Sequence, residues 1–211
     1  MEILYLDEVD STQKFLIQKL RDKEVIKEVA ISAEIQTNGI GSRENSWVSQ
    51  RGNLFLSFIK NIDNLPDDLP LASISIYFGY ILKLTLNNLG SEVFLKWSND
   101  IYLDDKKIGG LISNKIGNKI ICGIGLNLLS SPKGFKKLDI DVSKEKLLKL
   151  FFKNIDKKIL WNDIFKSYKL DFEKSKELSF THNEKKISLK DAELNSDGSI
   201  TLNNEIIYSF R

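Results

Sequence analysis

Four strand-like runs follow one another between Val93 and Leu129 with only a few residues between them: Val93–Trp97, Ile101–Leu103, Ile108–Ile116 and Lys119–Leu129. Parallel neighbours need a crossover of about a dozen residues or more, so these runs must return on one another antiparallel. Gly117-Asn118 makes the last of the turns. The stretch commits the middle of the chain to a sheet.

Upstream the pattern is mixed. Ile3–Leu6 is a short apolar strand. Asp10-Ser11-Thr12-Gln13 offers an N-cap residue with a Gln three positions on, a capping-box signal. Phe15, Leu16, Ile17 and Leu20 carry that helix to near Arg21. Val29–Gln36 and Leu54–Ile59 read as strands, and Leu71–Leu89 places apolar residues at helical spacing before Gly90. Ser143 opens a helix to about Lys157, and another runs from about Leu160 to Lys174. From Lys186 to Arg211 the sequence alternates as three short strands, with turns at Asp197-Gly198 and Asn203-Asn204. The expected fold is α+β: a mixed, mostly antiparallel sheet with helices packed on one side, over residues 1–176, and a small C-terminal antiparallel β unit over 177–211. A Rossmann domain is excluded, because no GxGxxG opens a helix after a strand; no P-loop exists either.

Scarce residues limit the chemistry. The 211 residues include one cysteine, Cys122, and one histidine, His182. An intrachain disulfide and a zinc site of several Cys and His ligands are therefore excluded. His182 lies in a polar stretch that reads as a turn, and Cys122 in an apolar strand-like run that buries it. An enzyme of this composition works by charge, positioning and metal. The net charge of +2 gives no basic face for nucleic acid. No apolar run reaches the ~18 residues of a membrane helix, and the acidic start MEILYLDEVDST lacks a signal-peptide pattern. A cytoplasmic location is the expectation.

KWSND at Lys96–Asp100 and KIGG at Lys107–Gly110 place two lysines, an amide and a carboxylate on a strand, a bend and a return strand. Ammonium groups neutralise phosphate, glycine lets a ligand approach the backbone, and a carboxylate offers a place for Mg²⁺. The pattern suits a nucleotide or another phosphate-bearing ligand, although Lys96 also fits a strand lysine reaching solvent. The polar segment Thr37–Gln50 fits a ligand-closing loop, with Arg43 for phosphate and Trp47 for stacking. It equally fits a mobile surface loop anchored by Trp47. Asp10–Gln13 serves a helix N-terminus or a polar ligand. Gly123–Asn127 reads as a strand crowded against another backbone, with Asn127 an odd amide in an apolar run.

Taken in order, DSTQ, EIQTNGIGSRENSW, GNLFLS, KWSND, KKIGGLI and GIGLNL run across residues 10–129. The series resembles the biotin protein ligases, also called biotin–[acetyl-CoA-carboxylase] ligases. Their pattern is roughly DSTN, Q-x-x-GRGRxGRxW, GNLYLS, KWPND, K[IL]xGIL and GIGIN. The resemblance covers the catalytic domain nearly whole and, more weakly, the C-terminal unit, which is shorter than the family's SH3-like cap. It implies a fold like the class II aminoacyl-tRNA synthetases and biotin ligases. It also implies a ligase that joins biotin to ATP, giving biotinyl-5′-AMP and pyrophosphate, then passes biotin to a lysine of a biotin carboxyl carrier protein. ATP and Mg²⁺ are the implied cofactors.

Carried over by position, the resemblance assigns Ser11, Thr12, Gln13, Gln36, Gly39, Lys107 and Gly110 to biotin. Arg43, Trp47, Asn99, Lys107 and Asn127 go to ATP. Lys107, Arg43 and Asp100 carry catalysis, with Asp100 orienting the amine or the metal, and Ile108 to Leu111 forms one wall. Mg²⁺ is expected through the phosphates, with Asp100 as the only protein ligand offered. The arginines depart from the pattern: Ile40, Ser42 and Asn45 stand where the family has arginine, leaving Arg43 and Arg51 as candidate cations. KWSND has Ser98 where proline is usual. With nine residues ahead of Asp10, no DNA-binding domain and no DNA partner are expected. A sheet edge would meet the carrier or form a homodimer. The alternatives are a lipoate or octanoate ligase of the same superfamily and a non-catalytic biotin or adenylate binder. Lipoate ligases carry an RR-x-x-GGG-type loop that is not seen here.

Overall fold

The computed structural model describes residues 1–42, 45–182 and 185–209. Leu54–Asn61 (β3) and Lys119–Leu126 (β7) are buried at nearly every position because both of their faces are covered. They pair at the centre of a seven-stranded sheet with order β1-β2-β3-β7-β6-β5-β4. Here β1 is Glu2–Val9, β2 Val29–Gln36, β4 Phe94–Lys96, β5 Asp100–Leu103 and β6 Lys106–Ile116. Every pairing is antiparallel except β1 with β2, whose connection contains the helix α1 (Thr12–Arg21) and so has the length a parallel return needs.

The mixed, mostly antiparallel sheet matches the expectation, with one refinement in the helices. Leu54, Leu56 and Phe58 point into the main core with α2 (Ile74–Asn87), α3 (Lys144–Ile155) and α4 (Trp161–Ser175). Ile31, Ile59 and Ile121 point to the other face, where Leu16 of α1 meets them. Among the described residues, three helices therefore share one side and α1 alone takes the other. Phe58 is wedged edge-on against Phe78, Phe151 and Phe152, which fastens α2 and α3 to the sheet.

The tail differs from the expectation. Ser179–His182 (β8) pairs with Lys185–Ser188 (β9), and Glu193–Leu194 (β10), Ile200–Leu202 (β11) and Glu205–Ile207 (β12) form a second small sheet. His182 thus ends a strand and is largely buried, not in a turn. Asn203 and Asn204 both have positive φ, as a two-residue hairpin turn requires. The Asp197-Gly198 turn packs on the first turn of α2, and the indoles of Trp97 and Trp161 donate to the carbonyls of Gly198 and Ser196 at 3.0 and 2.9 Å.

The two sheet edges are unlike. On β4 and just past its end, the outward N–H groups of Leu95 and Trp97 donate to Asp171 Oδ2 at 3.0 Å and Ser175 Oγ at 3.1 Å, one turn apart on α4. Burial holds the Asp171 pKa above its usual value despite that N–H and Lys83. On β1 no described strand pairs with the outer edge, and Leu4 and Tyr5 are about half exposed at 49 and 52%.

Glu28, just ahead of β2, ties β2 to β3. Its burial works to raise its pKa. Hydrogen bonds from Asn64, the Asn61 N–H and Lys60, with the Lys60 charge, outweigh that and lower it. A carboxylate depressed in the folded state stabilises above the unfolded value of about 4.3 and loses that contribution as pH falls through its folded value. Glu28→Gln should therefore be less stable than the parent at neutral pH. Urea midpoints should converge as the pH is lowered toward 3; a gap that stays constant would assign the loss to packing.

Candidate active site

The face of the sheet under α1 is where the sequence motifs meet. Strand register aligns Lys96, Asp100, Gly110, Gly125 and Phe55 in one row across β4, β5, β6, β7 and β3. The next row holds Ile112, Gly123 and Ser57. The glycines leave hollows that side chains from above fill. A Cβ on Gly123 would lie 2.7 Å from Gln13 Oε1, and one on Gly125 would lie 2.5 Å from Trp47 Cε2. The GIGLN strand is thus crowded against side chains, not against another backbone.

The N-terminus of α1 closes one end. Ser11 is the N-cap, with its Oγ 3.5 Å from the Lys14 N–H, so Asp10 and Gln13 do not form the expected capping box. Gln13 turns down onto the sheet. Its Nε2 donates to Asn114 Oδ1 at 3.0 Å and the Ile121 carbonyl at 3.1 Å. Those two acceptors fix the amide orientation and leave Oε1 buried, with no donor among the described residues. Beside it, Gln36 Oε1 accepts from the Thr12 N–H at 2.8 Å and Thr12 Oγ1 at 3.1 Å, and Thr12 Oγ1 lies 2.9 Å from Ser57 Oγ. This end is neutral and offers hydrogen bonds.

The other end is charged. Lys107 Nζ is 2.7 Å from Asp100 Oδ1, and Lys96 Nζ is 3.8 Å from Asp100 Oδ2. The Asp100–Lys107 pair lies over Gly110, where a Cβ would be 3.1 Å from Asp100 Oδ1 and from Lys107 Nζ. Lys107 Nζ also sits 5.5 Å from the centre of the Trp47 ring. Lys96 does not reach solvent as a strand lysine would; it is 3% exposed, with its Nζ 5.3 Å from the Tyr102 ring centre. Burial, and secondarily the Asp100 charge, push the Tyr102 phenol up to about 12, so it stays neutral.

Between the ends is a narrow cleft of about 30 Å³, room for about one water molecule. It is lined by Ser11, Thr12, Gln13 and Gln36 at the neutral end and by Trp47, Asn99, Asp100, Lys107 and Gly110 toward the charged end. The described residues of the segment 37–50 hydrogen-bond to one another. Ile40 bridges Ser46, the Gly41 N–H donates to the Asn45 carbonyl at 2.6 Å and the Trp47 N–H to the Gly39 carbonyl at 2.9 Å. This lays the Trp47 indole on Gly125, with Nε1 buried and without an acceptor among the described residues. Gly39 stands behind the wall, where a Cβ would meet Trp47 O at 2.7 Å and Gln36 Nε2 at 3.0 Å.

A second hollow adjoins the first and brings Trp47, Lys107 and Asn127 together with Val48, Pro132 and Phe135. Asn127 is buried, and its Nδ2 donates to the Lys136 carbonyl at 3.1 Å. Asn99 donates to the Leu111 carbonyl and accepts from Ser98 Oγ at 2.8 Å. Arg43 lies outside the described residues. Arg51 is exposed and is not among the residues lining the cleft. Ser57 and Asn114 were not singled out from sequence. The one signal was that each is a polar residue within a strand, and the contact between Gln13 and Asn114 spans 101 positions.

The described residues hold no group of three or more His, Cys, Asp or Glu arranged for a metal ion. Asp100, the carboxylate offered for Mg²⁺, has Oδ1 on Lys107 and Oδ2 facing Lys96. A divalent ion would have to displace ammonium groups there, so these residues do not fit a protein-built Mg²⁺ site. No described helix is long and apolar enough to cross a membrane.

The model of the Biotin/lipoate A/B protein ligase family matches residues 5–128. A biotin acetyl coenzyme A carboxylase synthetase from Helicobacter pylori, solved with bound biotinylated ATP, is 39% identical. That match covers 98% of this chain and 99% of the other, with a TM-score of 0.93. The bifunctional ligase/repressor BirA of Escherichia coli is 32% identical over 133 residues, 60% of this chain; the match spans only 40% of that relative's length. A biotin protein ligase from Aquifex aeolicus, solved with biotin and ATP, is alike in fold, at 23% identity and TM-score 0.77, over 100% of this chain and 96% of that one.

Proposed function

The chain belongs to the biotin/lipoate A/B protein ligase family, and from that premise we propose that it is an ATP-dependent biotin protein ligase. The observation that carries the reading is the two-ended cleft. A neutral end built from Thr12, Gln13, Gln36 and Ser57 faces a cationic end at Lys107. Biotin has the same polarity, with an uncharged ureido head and a carboxylate tail. Gln13 Oε1, buried without a donor among the described residues, fits a ureido N–H.

In the first step a carboxylate oxygen of biotin attacks the α-phosphorus of ATP. The P–O bond to the β-phosphate breaks, pyrophosphate leaves, and biotinyl-5′-AMP forms. Two anions must be brought together, which positioning and fixed positive charge achieve. Lys107 would bridge the carboxylate and the α-phosphate, and Trp47, Asn99 and Asn127 would border the nucleotide. Mg²⁺ would arrive on the triphosphate. In the second step a lysine amine of the acceptor attacks the acyl carbon, AMP leaves, and the amide forms with loss of a proton. Asp100 would orient that amine.

A biotin carboxyl carrier domain would dock by adding a strand to the outer edge of β1, because the β4 edge is occupied by Asp171 and Ser175. The same edge would serve a homodimer. Residues 1–176 would act as the catalytic unit, with 177–211 as a C-terminal β unit, in a cytoplasmic protein.

Intact mass of a carrier domain after incubation with the protein, biotin, ATP and Mg²⁺ tests the reading. One biotinyl addition, absent without ATP, is expected. No addition, with biotin still bound by calorimetry, would favour a binder or a ligase for another acyl group such as lipoate. Arg43→Ala is expected to abolish adenylation. Unchanged exchange of pyrophosphate into ATP in that variant would assign the phosphate to another cation.

A further inference from the structure

We infer that Lys96 is a positioning residue: its buried ammonium offsets the charge of Asp100, so that Lys107 keeps its own charge for an anionic ligand. The inference rests on the ligase reading only for the identity of that anion.

Lys96 is the last residue of β4 and the cross-strand partner of Asp100, the first of β5. The short hairpin between them fixes their separation. Lys96 meets Asp100 on its other carboxylate oxygen, with Oδ2 3.8 Å from its Nζ, while Oδ1 takes Lys107 at 2.7 Å. A lysine at a strand end ordinarily extends its stem and leaves its head in water. This one turns inward over the face of Tyr102, at 3% exposure. A charge is retained in such a place when it has a charged partner. A polar hollow lined by Lys96, Ser98, Asp100, Tyr102, Lys107 and Thr181 continues from the cleft to this point.

The charge count shows what Lys96 adds. Among the described residues, two ammoniums and one carboxylate leave this group at +1, and Tyr102 is neutral. Without Lys96 the group is a neutral Asp100–Lys107 pair. A phosphate or carboxylate drawn to Lys107 would then meet the uncompensated carboxylate 2.7 Å from the same ammonium. Lys96 is not among the described residues that line the cleft, whereas Asp100 is, so it acts through Asp100.

A double-mutant cycle tests this, read as biotin-dependent exchange of labelled pyrophosphate into ATP. Lys96→Met is expected to lower exchange on the order of 10²-fold. In an Asp100→Asn background the same substitution should cost less than about threefold, because no carboxylate charge remains to offset. Lys96→Arg should stay within about tenfold of the parent, since it keeps the charge. Equal losses in both backgrounds, or an arginine variant as poor as the methionine one, would overturn the inference and leave Lys96 a packing residue. If Lys96→Met does not fold, Lys96→Gln takes its place in the cycle. A parent protein without exchange would sink the ligase reading alone. The cycle would then be read as calorimetric binding of inorganic pyrophosphate: weakening by Lys96→Met confined to the Asp100 background supports the inference, and no binding by the parent overturns it.

Discussion

Lys107→Met is expected to lower biotin adenylation on the order of 10³-fold or more, with little loss of stability. Lys107 is the only cation among the described residues that line the cleft. Its ammonium is held from two directions, by Asp100 at 2.7 Å and by the Trp47 ring at 5.5 Å. It is therefore oriented before any ligand arrives, which is what electrostatic stabilisation of a developing charge requires. The pair is partly exposed, so breaking it costs the fold little. Biotin affinity should fall far less than turnover, because the hydrogen bonds at the neutral end do not involve Lys107. Pyrophosphate exchange and biotin calorimetry on the same variant separate the two effects. Exchange near that of the parent would mean that Arg43 or another group holds the phosphate.

The second large effect is expected from a single methyl group. Gly125→Ala would put a Cβ within 2.5 to 2.9 Å of three atoms of the Trp47 indole. Gly125 lies in a regular strand with an ordinary φ, so alanine meets no backbone strain there. The nearest conflict is with the ring, and the ring has to move. Overpacking of this kind costs about 1–3 kcal/mol. The nucleotide KM should rise at least about tenfold if the displaced indole no longer flanks the ligand. Trp97 and Trp161 are buried elsewhere, so a changed tryptophan emission would report Trp47. Trp47→Ala added to Gly125→Ala should return most of the lost stability without returning activity. A Gly125→Ala protein with parental KM would show that the indole does not flank the nucleotide.

What the sequence made legible was local. The returns between Val93 and Leu129 follow from gaps too short for crossovers, and the strands β4 to β7 lie within a few residues of where those gaps put them. Ser143 was readable as a cap, and its Oγ accepts from the Lys146 N–H at 3.2 Å. Ordered motifs put Ser11, Thr12, Gln13, Gln36, Trp47, Asn99, Asp100, Lys107 and Gly110 into one cleft.

What stayed illegible depends on contacts distant in sequence. Gln13 looked like a capping residue because its true partners, Asn114 and Ile121, lie beyond any local window. The inward turn of Lys96 depends on Asp100 and Tyr102 across a hairpin, while its apolar neighbours fit an outward lysine equally well. The outer residues of β1 and the strand β8 are polar enough to look like loops. They are strands because neighbours pair with them.

The bond set around Gln36 has one more consequence. The Gln36 N–H is held by Ser49 Oγ at 2.8 Å, and Gln36 Oε1 holds Thr12, which in turn meets Ser57. One glutamine thus joins the segment that carries Trp47 to the helix end that faces the neutral head of a ligand. Any free energy that the head group gains by fixing Thr12 and Gln36 would be shared with the segment proposed to border the nucleotide. Linkage makes such sharing reciprocal: the factor by which the first substrate tightens the second must equal the factor by which the second tightens the first.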